Sequence, residues 1–90
     1  RAKGDSMIRA RIYDGDIVFI RKQSMVDNGE IAAVVIDDEA TLKRVNYYPE
    51  KNLLILKAEN PDYEDLVYTG EQLDHIIILG KAVAFQSDVR

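Results

Sequence analysis

The chain predicts an all-β domain of two packed or partly closed antiparallel sheets with at most one short helical turn. Three features of its 90 residues point that way. Apolar residues fall in short runs, at 17–20, 31–36, 53–56 and 76–79, each of strand length. Turn-forming pairs separate these runs: Asp14-Gly15, Asn28-Gly29, Asp37-Asp38, Tyr48-Pro49 and Asn60-Pro61. From Ala40 to Tyr47 the side chains can alternate about a strand, with Thr41, Lys43, Val45 and Tyr47 on one face and Leu42, Arg44 and Asn46 on the other.

Taken in order, Arg1-Ala2-Lys3 reads as the end of an extended segment. Gly4 then permits a tight backbone, and Ser6 can open a helical turn over 6–10. After the Asp14-Gly15 turn, the run Ile17-Val18-Phe19-Ile20 is apolar on both faces, which places it inside the sheet system. A polar loop leads to Asn28-Gly29 and a strand over 30–36; Asp37-Asp38 reverses the chain into the strand that carries Lys43. A turn over 48–52 precedes Leu53-Leu54-Ile55-Leu56. Beyond Asn60-Pro61, Asp62, Glu64 and Asp65 are expected in solvent and Tyr63 inward, and the segment Leu66-Val67-Tyr68 is the least constrained. Residues 76–85 read as one long strand bent at Gly80.

At this length the chain is a single small domain over 1–90, with one core. The net charge of −4 opposes a broad nucleic-acid surface, and Arg9, Arg11, Arg21 and Lys22 read as a solvated rim. The absence of cysteine removes disulfides and thiolate metal sites. The apolar runs fall well short of the ~20 residues that cross a bilayer, and no membrane partner is expected. Asp37, Asp38 and Glu39 project in different directions from one turn and lack the looped pattern of a calcium site. No metal and no cofactor are therefore expected.

The residues that carry chemistry are Ser6, in Gly4-Asp5-Ser6-Met7, and Lys43, in Thr41-Leu42-Lys43-Arg44-Val45. A serine hydroxyl needs a base to remove its proton, and lysine can replace histidine in that role. With an ordinary pKa of ~10.4, lysine must first be moved into an apolar setting that disfavours its charge. The run Ile31-Ala32-Ala33-Val34-Val35-Ile36 can supply the wall. The plainer alternatives are a helix-capping Ser6 and a solvated Lys43 paired with Glu39 or Asp38. The backbone N–H groups of Ser6 and Met7 are candidates for an oxyanion hole. Lys81 is the second choice of buried base. His75, the only histidine, precedes an apolar strand and reads as a surface residue.

The ordered series Gly4-Asp5-Ser6-Met7, Asp14-Gly15-Asp16, Asn28-Gly29-Glu30, Asp37-Asp38-Glu39 and Thr41-Leu42-Lys43-Arg44 resembles the carboxy-terminal self-processing domain of LexA-type repressors. UmuD-type proteins and temperate-phage repressors share that domain. The likeness continues through Ala58-Glu59-Asn60-Pro61 to Gly80-Lys81-Ala82-Val83, and the 37-residue separation of Ser6 and Lys43 fits it. The resemblance implies a small β domain like that of signal peptidases, with Ser6 as nucleophile and Lys43 as general base. It also implies a homodimer, a cytoplasmic setting, and cleavage of an upstream Ala-Gly or Cys-Gly bond in the same chain, stimulated by the RecA–single-strand DNA filament. No such dipeptide precedes Gly4. The substrate segment and a DNA-reading module are expected upstream of Arg1, which makes DNA a partner only through that module. A UmuD-type polymerase accessory and a non-catalytic dimerisation module are the alternatives. Residues 81–87 are the expected dimer contact, through an open strand edge.

Overall fold

Two successive residues with positive φ, Asp37 (49°) and Asp38 (67°), reverse the chain in the manner of a two-residue type I′ hairpin. That turn fixes the register of Lys43. It joins β2 (Ile31–Ile36) to β3 (Glu39–Tyr48), and Ala32 lies opposite Lys43. The computed structural model describes residues 1–87. The remaining strands are β1 (Ile17–Lys22), β4 (Leu53–Lys57), β5 (Leu66–Thr69) and β6 (Ile76–Gln86).

All strand pairs are antiparallel, and the six strands form one sheet in the order β1-β6-β2-β3-β4-β5. The all-β expectation is met, but by one continuous sheet where two were expected. The reason is β6. Its first half pairs with β2 and its second half with β1, so one long strand joins what would otherwise be two sheets. Register shifts opposite Ala33/Val34 and Phe19/Ile20 bend it on either side of Gly80. Among the described residues, helical structure is limited to three 3₁₀ segments, Ile8–Ala10, Pro49–Lys51 and Gly70–His75, where a single turn was expected.

Val34, Val45, Leu54, Leu56, Ala32 and Val26 form the buried cluster on one face of the sheet, flanked by Tyr47, Tyr68, Ile76 and Ile78. The alternation of β3 puts Lys43 on this same face, between Thr41 and Val45. A second group, Met7 and Ile12, is buried at the amino-terminal end. It anchors the segment that carries Ser6.

Several local expectations are corrected. β1 is an edge strand, and Phe19 is half exposed, with Ile17 and Ile20 also open to solvent. An all-apolar run signals burial on two faces only when strands or helices cover both, and β1 has β6 on one side alone. Tyr63 is exposed rather than inward, because its hydroxyl reaches the Asp5 carboxylate outside the core. Residues 66–69, read as poorly constrained, are β5, paired with β4 from Leu66↔Leu56 to Thr69↔Leu53.

At Gly80, an added Cβ would lie 2.2 Å from the Arg21 carbonyl oxygen and 2.6 Å from the Ile20 side chain. The β1–β6 crossing is thus too close for any side chain there. Gly80→Ala is expected to destabilise the domain by about 3 kcal/mol or more, through overpacking against backbone that cannot move aside. Chemical denaturation of the two proteins checks this; equal midpoints would show that β1 separates from β6 without penalty.

Candidate active site

Ser6 lies just before the first 3₁₀ segment, whose N-terminal cap is Met7 with no side-chain capping bond. Helix capping is therefore not the role of the Ser6 hydroxyl. It accepts a hydrogen bond from Lys43 Nζ at 3.2 Å. Two residues remote in sequence are thus brought into contact, Ser6 from the amino-terminal turn and Lys43 from the core face of β3.

Lys43 is only 9% exposed, and its neighbours explain its state. Ala32 lies opposite, Val45 follows on the same face, and Thr41 Oγ1 accepts a second bond from Nζ at 3.4 Å. Among the described residues no carboxylate pairs with this ammonium. Burial, with no compensating charge, pulls its pKa below the ordinary lysine value. The Glu39 or Asp38 pairing does not form, because both residues lie exposed at the hairpin end while Nζ points to the core face. Lys81, the second choice of base, pairs instead with the Glu30 carboxylate, away from Ser6. The same pairing, together with the Asp27 N–H, holds the Glu30 carboxyl below its usual value. His75 is exposed, as expected.

The turn bearing Ser6 is held from several sides. Gly4, at a positive φ of 76°, donates its N–H to Asp14 Oδ1 at 2.9 Å. The buried Asn60 donates to the Asp5 carbonyl at 2.8 Å, and the Arg9 N–H reaches the Glu59 carbonyl at 2.7 Å. Upstream, Ala2 is paired by its N–H to the Asp16 carbonyl and by its carbonyl to the Gly15 N–H, each at 2.9 Å. Among the described residues the N–H groups of Ser6 and Met7 have no acceptor, which leaves both able to bind an incoming oxygen.

Ser6 opens into a cleft of about 490 Å³ between the amino-terminal segment, β1 and the start of β3, with Met7, Ile20, Ala33 and Leu42 among its walls. β4 pairs with β3 only from Arg44 onward, so among the described residues no strand covers the Glu39–Lys43 end of β3 on that side. An extended peptide can add there by main-chain hydrogen bonds. The arrangement therefore combines an alcohol, a desolvated amine, two free N–H donors and a strand-shaped opening. Among the described residues no cluster of His, Cys, Asp and Glu is arranged to hold a metal ion.

Sequence reasoning placed Ser6 and Lys43 but missed the groups that hold them. Thr41 was legible as a face-sharing neighbour of Lys43 at two-residue spacing. Asn60, Glu59 and Tyr63 carried no such signal, because their contacts span up to 58 positions of chain.

The profile of the family described as Peptidase S24-like matches residues 1–83. The LexA repressor of Desulfitobacterium hafniense is 46% identical over 83 residues, covering 92% of this chain and 37% of that protein. The LexA repressor of Citrifermentans bemidjiense is 43% identical over 84 residues, covering 92% and 40%. That of Acetivibrio thermocellus is 40% identical over 83 residues, covering 92% and 36%. The chain thus spans well under half the length of these curated relatives. With a profile match that takes in both Ser6 and Lys43, and identity at this level over most of its length, the chain belongs to the Peptidase S24-like family.

Proposed function

We propose that the chain is the carboxy-terminal, self-processing domain of a LexA-type repressor, a serine peptidase that cleaves its own upstream segment with Ser6 and Lys43. The observation that carries this reading is the 3.2 Å contact between Ser6 Oγ and an ammonium buried without a counter-charge. A lysine kept only for stability or solubility gains nothing from such a place, whereas a general base requires it.

Neutral Lys43 accepts the Ser6 hydroxyl proton as Oγ forms a bond to the scissile carbonyl carbon. The carbonyl electron pair moves onto oxygen, where the N–H groups of Ser6 and Met7 stabilise it. Collapse of this intermediate breaks the C–N bond, and the leaving amine takes the proton back from Lys43. Water then attacks the acyl ester, losing a proton to Lys43; collapse breaks the ester C–O bond, and the departing Ser6 Oγ takes that proton back from Lys43, which leaves the acid product and restores both groups. Thr41 Oγ1, the second acceptor for Nζ, keeps the amine turned toward Ser6.

The relatives named above are repressors, which favours the repressor reading over a polymerase accessory. On this reading the DNA-reading module and the cleaved segment belong to the part of the full-length protein that precedes the chain. The signal is the RecA–single-strand DNA filament of the DNA-damage (SOS) response, and the setting is the cytoplasm. No helix among the described residues is long and apolar enough to cross a membrane. Homodimerisation belongs to the same reading. Beyond Lys81, β6 has β1 on one side and, among the described residues, no strand on the other, with Val83 and Phe85 exposed. This open edge is the proposed contact; of the expected 81–87 stretch, all lies within the described residues, while 88–90 lie outside them.

In the full-length protein, Ser6→Ala is expected to abolish self-cleavage, and Lys43→Ala to slow it by about 10²–10⁴-fold. Gel analysis of cleavage over a pH series checks both; processing by either variant at the parent rate would remove that residue from the mechanism. The parent rate should rise with pH and level off with a midpoint below that of ordinary lysine, since the neutral amine is the active form.

Lowering of the Lys43 pKa also has a consequence for stability. Below its folded-state pKa the charged amine disfavours the fold; as pH rises from there to the unfolded value, the unfolded chain holds more protons and stability increases. Lys43→Met, which keeps the length of the side chain and removes the charge, is expected to raise Tm at neutral pH while ending cleavage. A lower Tm in calorimetry would mean that the ammonium contributes to the fold.

Phe85→Glu is expected to shift the domain from dimer to monomer in sedimentation at micromolar concentration. A parent domain already monomeric there would reject the proposed contact.

A further inference from the structure

Among the described residues three polar or charged side chains are buried: Lys43, Asp16 and Asn60. The first is accounted for above. Asp16 closes its own turn, accepting the Tyr13 N–H at 2.8 Å. Asn60, 5% exposed, reaches across 55 residues to the Asp5 carbonyl, and it takes no part in the proton transfers between Ser6 and Lys43.

We propose that Asn60 is a positioning residue for the peptidase reaction, holding the Asp5–Ser6 peptide group so that the Ser6 N–H and hydroxyl face the reacting carbonyl and Lys43. This rests on the reading of Ser6 and Lys43 as the reacting pair. The peptide group is planar and trans, so its C=O and N–H point in opposite directions. A hydrogen bond that fixes the Asp5 oxygen therefore also fixes the direction of the Ser6 N–H, one of the two donors proposed for the oxyanion. The same bond polarises the amide and strengthens that N–H as a donor.

Asn60 is itself held in place. Its Oδ1 accepts the Asp62 N–H at 2.9 Å, and its own carbonyl accepts the Tyr63 N–H at 3.1 Å, an Asx-turn started by Asn60-Pro61. The turn brings the Tyr63 hydroxyl onto the Asp5 carboxylate, adding a second grip on the residue before Ser6. Glu59, one position earlier, accepts the Arg9 N–H at its carbonyl and pairs its carboxylate with Arg44, the neighbour of Lys43 on β3. Arg44 also donates to the Gly29 carbonyl. The consecutive residues Glu59 and Asn60 thus hold both flanks of the Ser6 turn and, through Arg44, the strand bearing Lys43. Asparagine suits the post because it donates and accepts at once; serine can keep the short bond to the Asp62 N–H but cannot reach Asp5, and aspartate would set an acceptor against an acceptor.

The test compares full-length parent, Asn60→Ser and Asn60→Asp proteins below their measured Tm, with cleavage rates corrected for the folded fraction. Both variants are expected to lose about 10²-fold in rate per folded molecule, as small misplacements of reacting groups do. In parallel, NMR titration of the Lys43 side chain in Asn60→Ser is expected to show its midpoint rising toward that of ordinary lysine. Release of the Ser6 turn uncovers the amine, and the midpoint of the pH–rate profile moves up with it. A loss confined to Tm, with rate per folded molecule and Lys43 titration as in the parent, would overturn the proposal and leave Asn60 a purely structural residue. If the Lys43 midpoint moves but the parent itself does not cleave, the positioning contact stands and the peptidase reading falls.

Discussion

The ammonium of Lys43 lies on the core face of a β-sheet with two hydroxyl groups and no carboxylate beside it. Charge in an apolar setting is unfavourable, and proteins ordinarily avoid it by pairing the group or moving it to the surface. Here neither happens. The surrounding structure has to hold the amine in place against its tendency to reach water, and much of the small domain can be understood as the means of doing so. Lys81, by contrast, sits two strands away on β6, with the Glu30 carboxylate paired to it.

Two kinds of constraint act on the amine. The first is the sheet: the tight hairpin at Asp37-Asp38 sets the register that puts Lys43 opposite the small, fully buried side chain of Ala32. The second is the cover formed by the Ser6 turn, whose Met7 is buried and whose backbone is tied to Asp14 on one side and to Glu59 and Asn60 on the other. Sheet register alone would leave Nζ open toward the cleft. The cover closes that side with a hydroxyl, which is the group a general base needs next to it.

The edges of the sheet carry the remaining functional surfaces. Among the described residues, β3 before Arg44 is paired only with β2, leaving its other edge open next to Ser6, and β6 beyond Lys81 is paired only with β1, next to the exposed Val83 and Phe85. Unpaired edges of this kind are hazards unless something is meant to fill them. On the proposed reading, one receives an extended substrate and the other a second copy of the domain.

Much of this was legible in the order of residues, because strand and turn signals are local. Asn28-Gly29, Asp37-Asp38 and the alternation from Thr41 to Tyr47 determine a hairpin and put Lys43 on a definite face whatever the rest of the chain does. The motifs around Ser6 and Lys43 singled out the two side chains that meet for the same reason: each phrase is short and self-contained. Other features depended on what lies alongside, which local pattern does not record. The run Ile17-Val18-Phe19-Ile20 is the same sequence at the centre of a sheet or at its edge, and only the path of β6 made it an edge. The 3.2 Å contact of Ser6 with Lys43, the loss of charge stabilisation at Lys43, and the reach of Asn60 to Asp5 were decided by tertiary structure, since hydrogen bonds and desolvation act through distances that sequence separations of 37 and 55 residues leave open.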